Sequence, residues 1–443
     1  MPKTKVNNSQ KLIDKIKQKN AVVGIIGLGY VGLPLSIELA KSGFKVIGYD
    51  ISKEKVKLIN AGKSDIDDVS NEEVARVVKS GNLIATMDPK KVAQMDTISI
   101  CVPTPLSKTK DPDVSYILSA VNMIKEHMKN NVLVVLESTT YPGTTDELIK
   151  PILEENGSKV GKDFYLAFSP ERVDPGNAVY TTKNTPRVVG GITPSCTKVA
   201  KTFYEQSIPN IKAVSSTGAA EMVKLLENTF RSVNIGLVNE VALMCDRLGL
   251  DVWEIIDAAA TKPFGFMPFY PGPGLGGHCI PIDPHYLSWK LKSLNYSARF
   301  IELAGDINSQ MPEYVSQRIT DLMNDSFAKS INKSKIVILG IAYKKDIKDV
   351  RESPALDVMR LLEIKGAKIF YNDPFVPSIK WNDKILKSTK LTKTLLNKAD
   401  LTIILTDHTQ YDYQWIVDNS KAVFDTRNAA KGVKRGRSKI ENL

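Results

Sequence analysis

Several patterns that would mark particular classes of protein are missing from this sequence. No apolar run reaches the ~18–20 residues needed to cross a bilayer, and the basic N-terminus lacks the apolar segment of a secretory signal. The four cysteines form no C-x-x-C pair, and the four histidines do not cluster with them at metal-ligand spacing. These absences predict a cytoplasmic protein without a membrane-spanning segment, a disulfide scaffold or a metal site.

A large charge surplus of one sign is also missing from most of the chain. Lys and Arg number 60 against 49 Asp and Glu, a net charge of +11 over 443 residues. Residues 1–20 carry +5 of this surplus and residues 431–443 carry +4, so the long middle segment is close to neutral. A nucleic-acid-binding fold is therefore not expected. The two ends are predicted to be solvated basic tails that are dispensable for catalysis.

The first 200 residues alternate between short apolar runs and helical stretches. Apolar runs at 22–26, 45–49, 97–102, 132–137, 166–169 and 187–189 predict buried strands, and a helix is predicted over 33–42. Strands that alternate with helices indicate a parallel sheet.

The first predicted β-α-β unit contains a glycine-rich turn. Gly27, Gly29 and Gly32 form G-x-G-x-x-G between strand and helix, and Asp50 follows 18 residues after the last glycine. Such glycines permit a tight turn and a close approach of pyrophosphate, while the acid accepts from ribose hydroxyls and repels a 2′-phosphate. The pattern predicts NAD rather than NADP; the alternative is a structural turn with an incidental Asp.

The later chain predicts two further domains. A proline-free stretch at 217–248 predicts one helix of roughly 48 Å, which we expect to form the core of a homodimer. Strands at 335–339, 368–371, 401–405 and 422–424 predict a second α/β sheet. The predicted fold is α/β, with two Rossmann-like doubly wound parallel-sheet domains joined by a central helical domain with a long helix. The predicted boundaries are a basic leader at 1–20, an NAD-binding domain at 21–213, a central helical domain at 214–330, a third domain at 331–430 and a basic tail at 431–443.

The loop before residue 284 holds the strongest candidate for a nucleophile. Cys279 ends a glycine-rich segment in which backbone amides could surround a thiolate, and Asp283 follows four residues later. The alternative is a buried bystander cysteine. His278 is a poor partner for the thiol because neighbours along an extended chain point apart, and His285 is interpreted as structural.

Two other groups of polar residues allow two interpretations each. Lys224 and Asn228 share a helix face, either as a solvated stripe or as groups that stabilise an oxyanion. Lys344, Lys345 and Arg351 follow a predicted strand, either as a phosphate site or as a solvated basic loop.

From residue 21 to about 428 the chain resembles the UDP-glucose/GDP-mannose dehydrogenase family. The motifs that carry the resemblance are residues 27–34 (GLGYVGLP), 102–105 (VPTP), 137–145 (ESTTYPGTT), 169–172 (SPER), 224–228 (KLLEN), 274–283 (GLGGHCIPID), 344–346 (KKD), 351–353 (RES) and 425–427 (DTR). With 344–346 and 351–353 counted as one motif, these are eight motifs in order, a highly specific combination. The resemblance implies oxidation of the C6 hydroxymethyl of a nucleotide sugar to a carboxylate with two NAD+.

The resemblance also implies a role for each matching residue. Cys279 would form a thiohemiacetal and then a thioester, while Lys224 and Asn228 stabilise the oxyanion. Asp283 and Thr139 would position the hydrolytic water, assisted by Glu171. The implied cofactor contacts are Gly27, Gly29, Tyr30, Val31, Gly32, Asp50, Lys55, Thr104, Thr139 and Arg351. The implied contacts to a UDP-sugar are Glu171, Arg172, Lys224, Asn228, Gly276, Lys344 and Arg427.

One departure from the family pattern bears on the substrate. UDP-glucose members carry a Glu four residues beyond the position of Glu171, where this chain has Pro175. Together with residues 262–270, this favours the branch that acts on UDP-N-acetylhexosamines, and within it UDP-N-acetylglucosamine 6-dehydrogenases over the UDP-N-acetylmannosamine enzymes. UDP-glucose remains a further alternative.

Two rival functions remain open from the sequence. A two-electron dehydrogenase of the 6-phosphogluconate or β-hydroxyacid type shares the first fold and the Lys-Asn helix, but has no use for Cys279. A non-catalytic NAD-sensing scaffold would need none of Cys279, Lys224 and Asp283.

Overall fold

The computed structural model describes residues 8–66, 69–107, 111–173, 179–277 and 279–443. His278 and Pro175, which entered the sequence predictions, lie outside these ranges. The chain forms two compact units. Unit 1 comprises residues 1–227 and 285–296, and unit 2 comprises residues 228–284 and 297–443.

Unit 1 is built on an eight-stranded sheet in the order β3-β2-β1-β4-β5-β6-β7-β8. Every pairing is parallel except that of β6 with β7. The central strands are almost wholly apolar and buried, as a sheet covered by helices on both faces requires. The strands are β1 (Val22–Ile26), β2 (Lys45–Tyr49), β3 (Leu83–Thr86), β4 (Thr97–Ile100), β5 (Val132–Leu136), β6 (Phe164–Phe168), β7 (Arg187–Gly191) and β8 (Ile211–Ala213).

The helices of the first half flank this sheet. Several begin with side-chain caps: Ser52 caps α3, Ser70 forms a capping box with Glu73 on α4, and Thr193 caps α7. The predicted long helix at 217–248 is confirmed as α8. The helices are α1 (Asn8–Lys17), α2 (Gly32–Lys41), α3 (Lys53–Asn60), α4 (Asn71–Lys79), α5 (Ser115–His127), α6 (Lys150–Glu154), α7 (Pro194–Tyr204) and α8 (Thr217–Leu248).

The prediction that the basic leader is a solvated tail is wrong for its described part. Helix α1 buries Leu12, Ile13 and Ile16 in the core of unit 1. Its Lys15 ammonium donates to the buried carboxylate of Asp96 at 2.7 Å. The lysines had obscured an amphipathic pattern in which apolar residues recur three and four positions apart.

Unit 2 contains a five-stranded parallel sheet in the order β10-β9-β13-β14-β15 and a separate hairpin of β11 and β12. Its strands are β9 (Lys335–Leu339), β10 (Lys368–Asn372), β11 (Ser378–Trp381), β12 (Lys384–Lys387), β13 (Leu401–Ile404), β14 (Val423–Asp425) and β15 (Ile440–Asn442). The remaining helices of the chain are α9 (Val252–Ala259), α10 (Asp283–Lys292), α11 (Arg299–Phe327), α12 (Pro354–Ile364), α13 (Lys393–Lys398) and α14 (Tyr413–Asn419). Most of α10 belongs to unit 1, and the other five belong to unit 2.

The basic C-terminal segment is likewise not a solvated tail. Strand β15 pairs with β14 and completes the edge of the sheet of unit 2. The Lys439 ammonium donates to the backbone carbonyls of Val417 and Ser420. At least one basic side chain of this segment therefore stabilises the fold. Of the described helices, none is long and apolar enough to cross a membrane.

Candidate active site

In unit 1 the glycine-rich turn between β1 and α2 has the geometry of a dinucleotide cradle. Gly27 has φ +93°, and a Cβ there would lie 2.6 Å from the carbonyl oxygen of Cys101. A Cβ on Gly32 would collide with the carbonyl oxygen of Gly27. A Cβ on Gly29 would meet nothing within 4 Å, so this backbone borders open space. Two glycines are therefore required by packing, and Gly29 leaves room for a ligand, as a pyrophosphate site needs.

The acid at the end of β2 is oriented by the same turn. Asp50 Oδ2 accepts from the Leu28 amide at 2.9 Å, and Oδ1 accepts from the Ser52 amide at 2.8 Å. The carboxylate is partly exposed and retains acceptor capacity for ribose hydroxyls. These residues fit NAD.

Other predicted cofactor residues lie around this turn or on neighbouring loops of unit 1. Tyr30 is exposed, and Val31 directly precedes α2. Lys55 pairs with Asp65 at 2.6 Å. The carbonyl of Thr104 accepts from the Tyr286 hydroxyl at 2.8 Å.

Thr139 belongs to a loop that follows β5 and leads into a π-helical turn, Thr144–Ile149. Glu221 of α8 holds the far side of this loop. Its carboxylate accepts from the amides of Gly143 and Thr145 at 2.6 and 3.0 Å, and from the Thr145 hydroxyl at 2.7 Å. Burial raises the pKa of Glu221, which is fully enclosed. No sequence motif predicted these contacts of Glu221.

Lys224 is buried and anchored to the loop after β6. Its ammonium donates to the carbonyl oxygen of Glu171 at 2.9 Å. The neighbouring Arg172 forms a bidentate pair with Glu227 of α8 and donates to the Pro186 carbonyl at 2.7 Å. The interpretation of Lys224 as part of a solvated stripe is therefore wrong.

In unit 2, Cys279, Asp283 and Asn228 are brought together. The Cys279 carbonyl accepts from the Asp283 amide at 2.7 Å, so the two residues bracket one tight turn before α10. Asp283 is buried, and its Oδ2 accepts from the Asn228 side-chain amide at 2.5 Å. Cys279 is only partly buried, whereas Cys101, Cys196 and Cys245 are buried. The structure thus separates one accessible thiol from three enclosed ones.

The glycines before Cys279 pack against the segment that follows β9. A Cβ on Gly276 would lie 2.5 Å from Tyr343 Cβ, and one on Gly277 would meet the Tyr343 ring at 2.7 Å. The Gly277 amide donates to the Arg351 carbonyl. Tyr343 was not among the predicted site residues, although an aromatic residue between Gly340 and two lysines is a visible signal.

The predicted phosphate-binding cations of unit 2 lie on the loops at the carboxyl ends of its strands. Lys344 is partly buried after β9, and Arg351 forms a bidentate pair with Asp349, in which Nε donates to Oδ1 and Nη2 to Oδ2. Arg427 follows β14, donates to the Leu405 carbonyl at 3.1 Å and packs against Gly272. This edge of a parallel sheet is where α/β folds bind ligands.

In the sheet of unit 2, Asp373 is the counterpart of Asp50, but its carboxylate is buried and hydrogen-bonded. Asp373 follows β10, and its Oδ2 accepts from the amides of Ile341 and Ala342 at 2.7 and 3.1 Å. Buried His408 lies 3.0 Å from the same oxygen and accepts from the Asp346 amide at Nδ1, which leaves its proton on Nε2. A ribose therefore cannot reach Asp373 as it can reach Asp50.

Comparison with known proteins identifies the class of enzyme. Residues 21–208 match the NAD binding domain of the UDP-glucose/GDP-mannose dehydrogenase family, residues 218–310 match its central domain, and residues 337–432 match its UDP binding domain. The chain belongs to the UDP-glucose/GDP-mannose dehydrogenase family. It is an NAD-dependent nucleotide-sugar dehydrogenase.

Relatives of known name resemble the chain over almost all of its length. It is 36% identical over 404 residues to UDP-N-acetyl-D-mannosamine dehydrogenase of Methanococcus aeolicus, covering 90% of this chain and 87% of the relative. It is 35% identical over 422 residues to NDP-N-acetyl-D-galactosaminuronic acid dehydrogenase of Ralstonia nicotianae, covering 91% and 95%. The solved UDP-D-ManNAc dehydrogenase of Pyrococcus horikoshii superposes with a TM-score of 0.86 at 33% identity, covering 95% of this chain and 99% of that one.

Proposed function

We propose that this enzyme oxidises the C6 hydroxymethyl of a UDP-N-acetylhexosamine to a carboxylate, using two NAD+ per sugar. The observation that carries the proposal is the turn in which an accessible Cys279 is followed by a buried Asp283 bonded to Asn228. A two-electron dehydrogenase has no use for a thiol, whereas a four-electron oxidation needs one to convert an aldehyde into a second hydride donor. Relatives named for UDP-N-acetyl-D-mannosamine support the class of substrate.

The first oxidation converts the C6 alcohol into an aldehyde. Bound NAD+ supplies the hydride acceptor for this oxidation and for the second one. Lys224 and Asn228, one turn apart on α8, stabilise negative charge on the C6 oxygen as its proton leaves. The Glu171 carbonyl supports this role because it holds the Lys224 ammonium in a buried position.

The second oxidation proceeds on the enzyme. The Cys279 sulfur adds to the C6 aldehyde, forming a carbon–sulfur bond, and a proton passes to the C6 oxygen to give a thiohemiacetal. Loss of the C6 hydride and of the hydroxyl proton then leaves a thioester. Water then attacks the thioester carbonyl, breaks the carbon–sulfur bond and releases the carboxylate and the thiol. Asp283 and Thr139 position this water, and Glu171 assists.

The remaining predicted residues bind the two ligands in this proposal. Asp50 and Gly29 hold the ribose and the pyrophosphate of NAD, and the open space above Gly29 supports this assignment. The other proposed NAD contacts are Gly27, Tyr30, Val31, Gly32, Lys55, Thr104, Thr139 and Arg351. The proposed UDP-sugar contacts, besides Lys224 and Asn228, are Glu171, Arg172, Gly276, Lys344 and Arg427.

Two C2 epimers are the leading candidates for the sugar. The sequence motifs favour UDP-N-acetylglucosamine, whereas relatives at 34–36% identity bear the name of UDP-N-acetyl-D-mannosamine. The discriminating experiment follows NADH absorbance with purified enzyme, NAD+ and four substrates: UDP-GlcNAc, UDP-ManNAc, UDP-GalNAc and UDP-Glc. The proposal requires an acetamido sugar to give the highest kcat/KM. Turnover of UDP-Glc alone would overturn the acetamido class, and no turnover of any sugar would favour the scaffold.

We also propose that α8 forms the core of a homodimer. Phe230, Leu237 and Met244 recur every seven residues on one face of α8, with exposed fractions of 46%, 54% and 49%. An exposed apolar stripe of this kind is typical of an interface. Light scattering should give a dimer for the wild type and a monomer for Leu237→Glu. The matched control Ile385→Glu, at another exposed apolar position, should remain dimeric.

A further inference from the structure

A buried ionic cluster lies in unit 1 at the end of the sheet where β5 and β6 terminate. Arg187, the first residue of β7, donates to Glu137 Oε2 at 2.6 Å and to Glu171 Oε2 at 2.8 Å. The Tyr204 hydroxyl donates to the second oxygen of Glu137 at 2.6 Å. Arg187 reaches this end because β7 runs antiparallel to β6.

The cluster is too enclosed to be a surface ion pair. The side chains of Arg187 and Glu137 are 4% and 0% exposed. Burying ions is costly unless the geometry is good and the remaining polar atoms are bonded. Arg187 meets that condition because its planar fork reaches two carboxylates with separate nitrogens. The carboxylates hold the pKa of the Arg187 guanidinium above its ordinary value against the opposing effect of burial.

Each carboxylate bound by Arg187 belongs to a segment with a proposed catalytic role. Glu137 opens the loop that contains Thr139. Glu171 presents its carbonyl oxygen to the Lys224 ammonium at 2.9 Å. The other carboxylate oxygen of Glu171 accepts from the amides of Arg172 and Val173, so the side chain fixes its own backbone turn. Glu137 also accepts from the Tyr204 hydroxyl and keeps that bond when Arg187 is replaced, so a change at Arg187 should act mainly on the Glu171 turn.

We propose that Arg187 is a positioning residue for the dehydrogenase reaction, which holds the Glu171 turn so that its carbonyl anchors the Lys224 ammonium. The proposal rests on the proposed function only in that Lys224 acts on the substrate. Within the described residues, the hydrogen bonds of the Arg187 side chain go to Glu137, Ser169 and Glu171 rather than to the lysine. Its effect passes through the Glu171 backbone, and the bond to Glu137 fixes the guanidinium from the other side.

The first test measures the Lys224 amine without substrate, so that it does not depend on the activity. Reductive methylation with formaldehyde and a hydride reductant, followed by mass spectrometry, gives the labelling rate of Lys224 relative to Lys201, whose side chain is 44% exposed. Arg187→Lys reaches at most one carboxylate and Arg187→Met neither. We expect relative labelling of Lys224 to rise in the order wild type, Arg187→Lys, Arg187→Met, by several-fold in total. Unchanged labelling in folded variants would overturn the proposal.

The second test separates positioning from general loss of structure. With whichever UDP-sugar the wild type oxidises, Arg187→Lys should lower kcat by about tenfold or more while KM for NAD+ changes less than about threefold. A fall in NAD+ affinity that matches the fall in kcat would indicate a structural role and overturn the proposal. If Arg187→Met does not fold, Glu137→Gln replaces it, because it keeps the shape and removes one charge from Arg187. Glu137→Gln should give intermediate labelling, and wild-type labelling would contradict the proposal.

Discussion

The buried carboxylate of Asp283 accepts a hydrogen bond from the Asn228 side chain at 2.5 Å, while its own amide donates to the carbonyl of Cys279. One acid is thus tied to α8 and to the residue that carries the accessible thiol. In the proposed chemistry this acid acts on the water that releases the product.

Replacing Asp283 by Asn should slow the last step rather than the first two. The amide keeps the size of the side chain but cannot accept a proton from water, so the thioester on Cys279 should hydrolyse ~10²-fold more slowly. Intact-protein mass spectrometry during turnover should then detect a sugar adduct on Cys279. Asp306→Asn, on the exposed surface of α11, should show wild-type turnover and no adduct. Equal adduct levels in the two variants would contradict the role of Asp283.

Replacing Asp50 should weaken NAD binding, whereas replacing its counterpart Asp373 should not. Asp50→Asn weakens the acceptor for the ribose hydroxyls, so KM for NAD+ should rise about tenfold or more and the preference over NADP+ should fall. Asp373→Asn alters the sealed counterpart in unit 2 and should leave KM for NAD+ within about twofold. Steady-state kinetics with both cofactors checks both variants, and an equal effect of the two would refute the assignment.

Asp373 should also contribute to stability in a pH-dependent way. Burial alone would raise the pKa of its carboxyl, but the hydrogen bonds from His408 and the Ile341 amide prevail and hold the pKa below its ordinary value. Its contribution is therefore present above pH ~4 and is lost as the pH falls through the lowered folded-state pKa. Between pH 7 and pH 3 the Tm of Asp373→Asn should fall less than that of the wild type. Exposed Asp383→Asn should follow the wild type.

Helix α1 should stabilise unit 1 despite its basic composition. Ile16 is fully buried, so Ile16→Ala should lower the free energy of unfolding by about 2–5 kcal/mol. Lys17→Ala, on the exposed face of the same helix, should change it by less than about 0.5 kcal/mol. Thermal unfolding monitored by circular dichroism distinguishes the two. A stable Ile16→Ala variant would restore the interpretation of the leader as a tail.

Patterns confined to a few neighbouring residues predicted much of this fold. The strands β1 and β2, the turn at Gly27 and the full length of α8 follow from local apolar periodicity and glycine spacing, which act within one element. The prediction that the two basic ends are solvated tails is wrong because net charge does not register the apolar residues between the lysines. Strand β15 has only three residues and gains its stability from β14, which no local pattern records.

Local sequence patterns do not predict contacts between residues that are distant in sequence. Arg187 stands 50 residues from Glu137, and His408 stands 35 residues from Asp373. The antiparallel direction of β7 brings Arg187 to Glu137. The strand order in the sheet of unit 2 brings His408 to Asp373. A charged residue at the first position of an otherwise apolar strand was the one signal available for Arg187.

The most direct test of the central claim is the stoichiometry of NADH with a limiting amount of UDP-sugar. The wild type should form two NADH per sugar consumed, with the uronic acid as the product detected by mass spectrometry. Cys279→Ser should lose this four-electron oxidation and form at most one NADH per sugar, whereas Cys245→Ser, which alters a buried thiol, should still form two. One NADH per sugar in the wild type, or two in Cys279→Ser, would contradict the account.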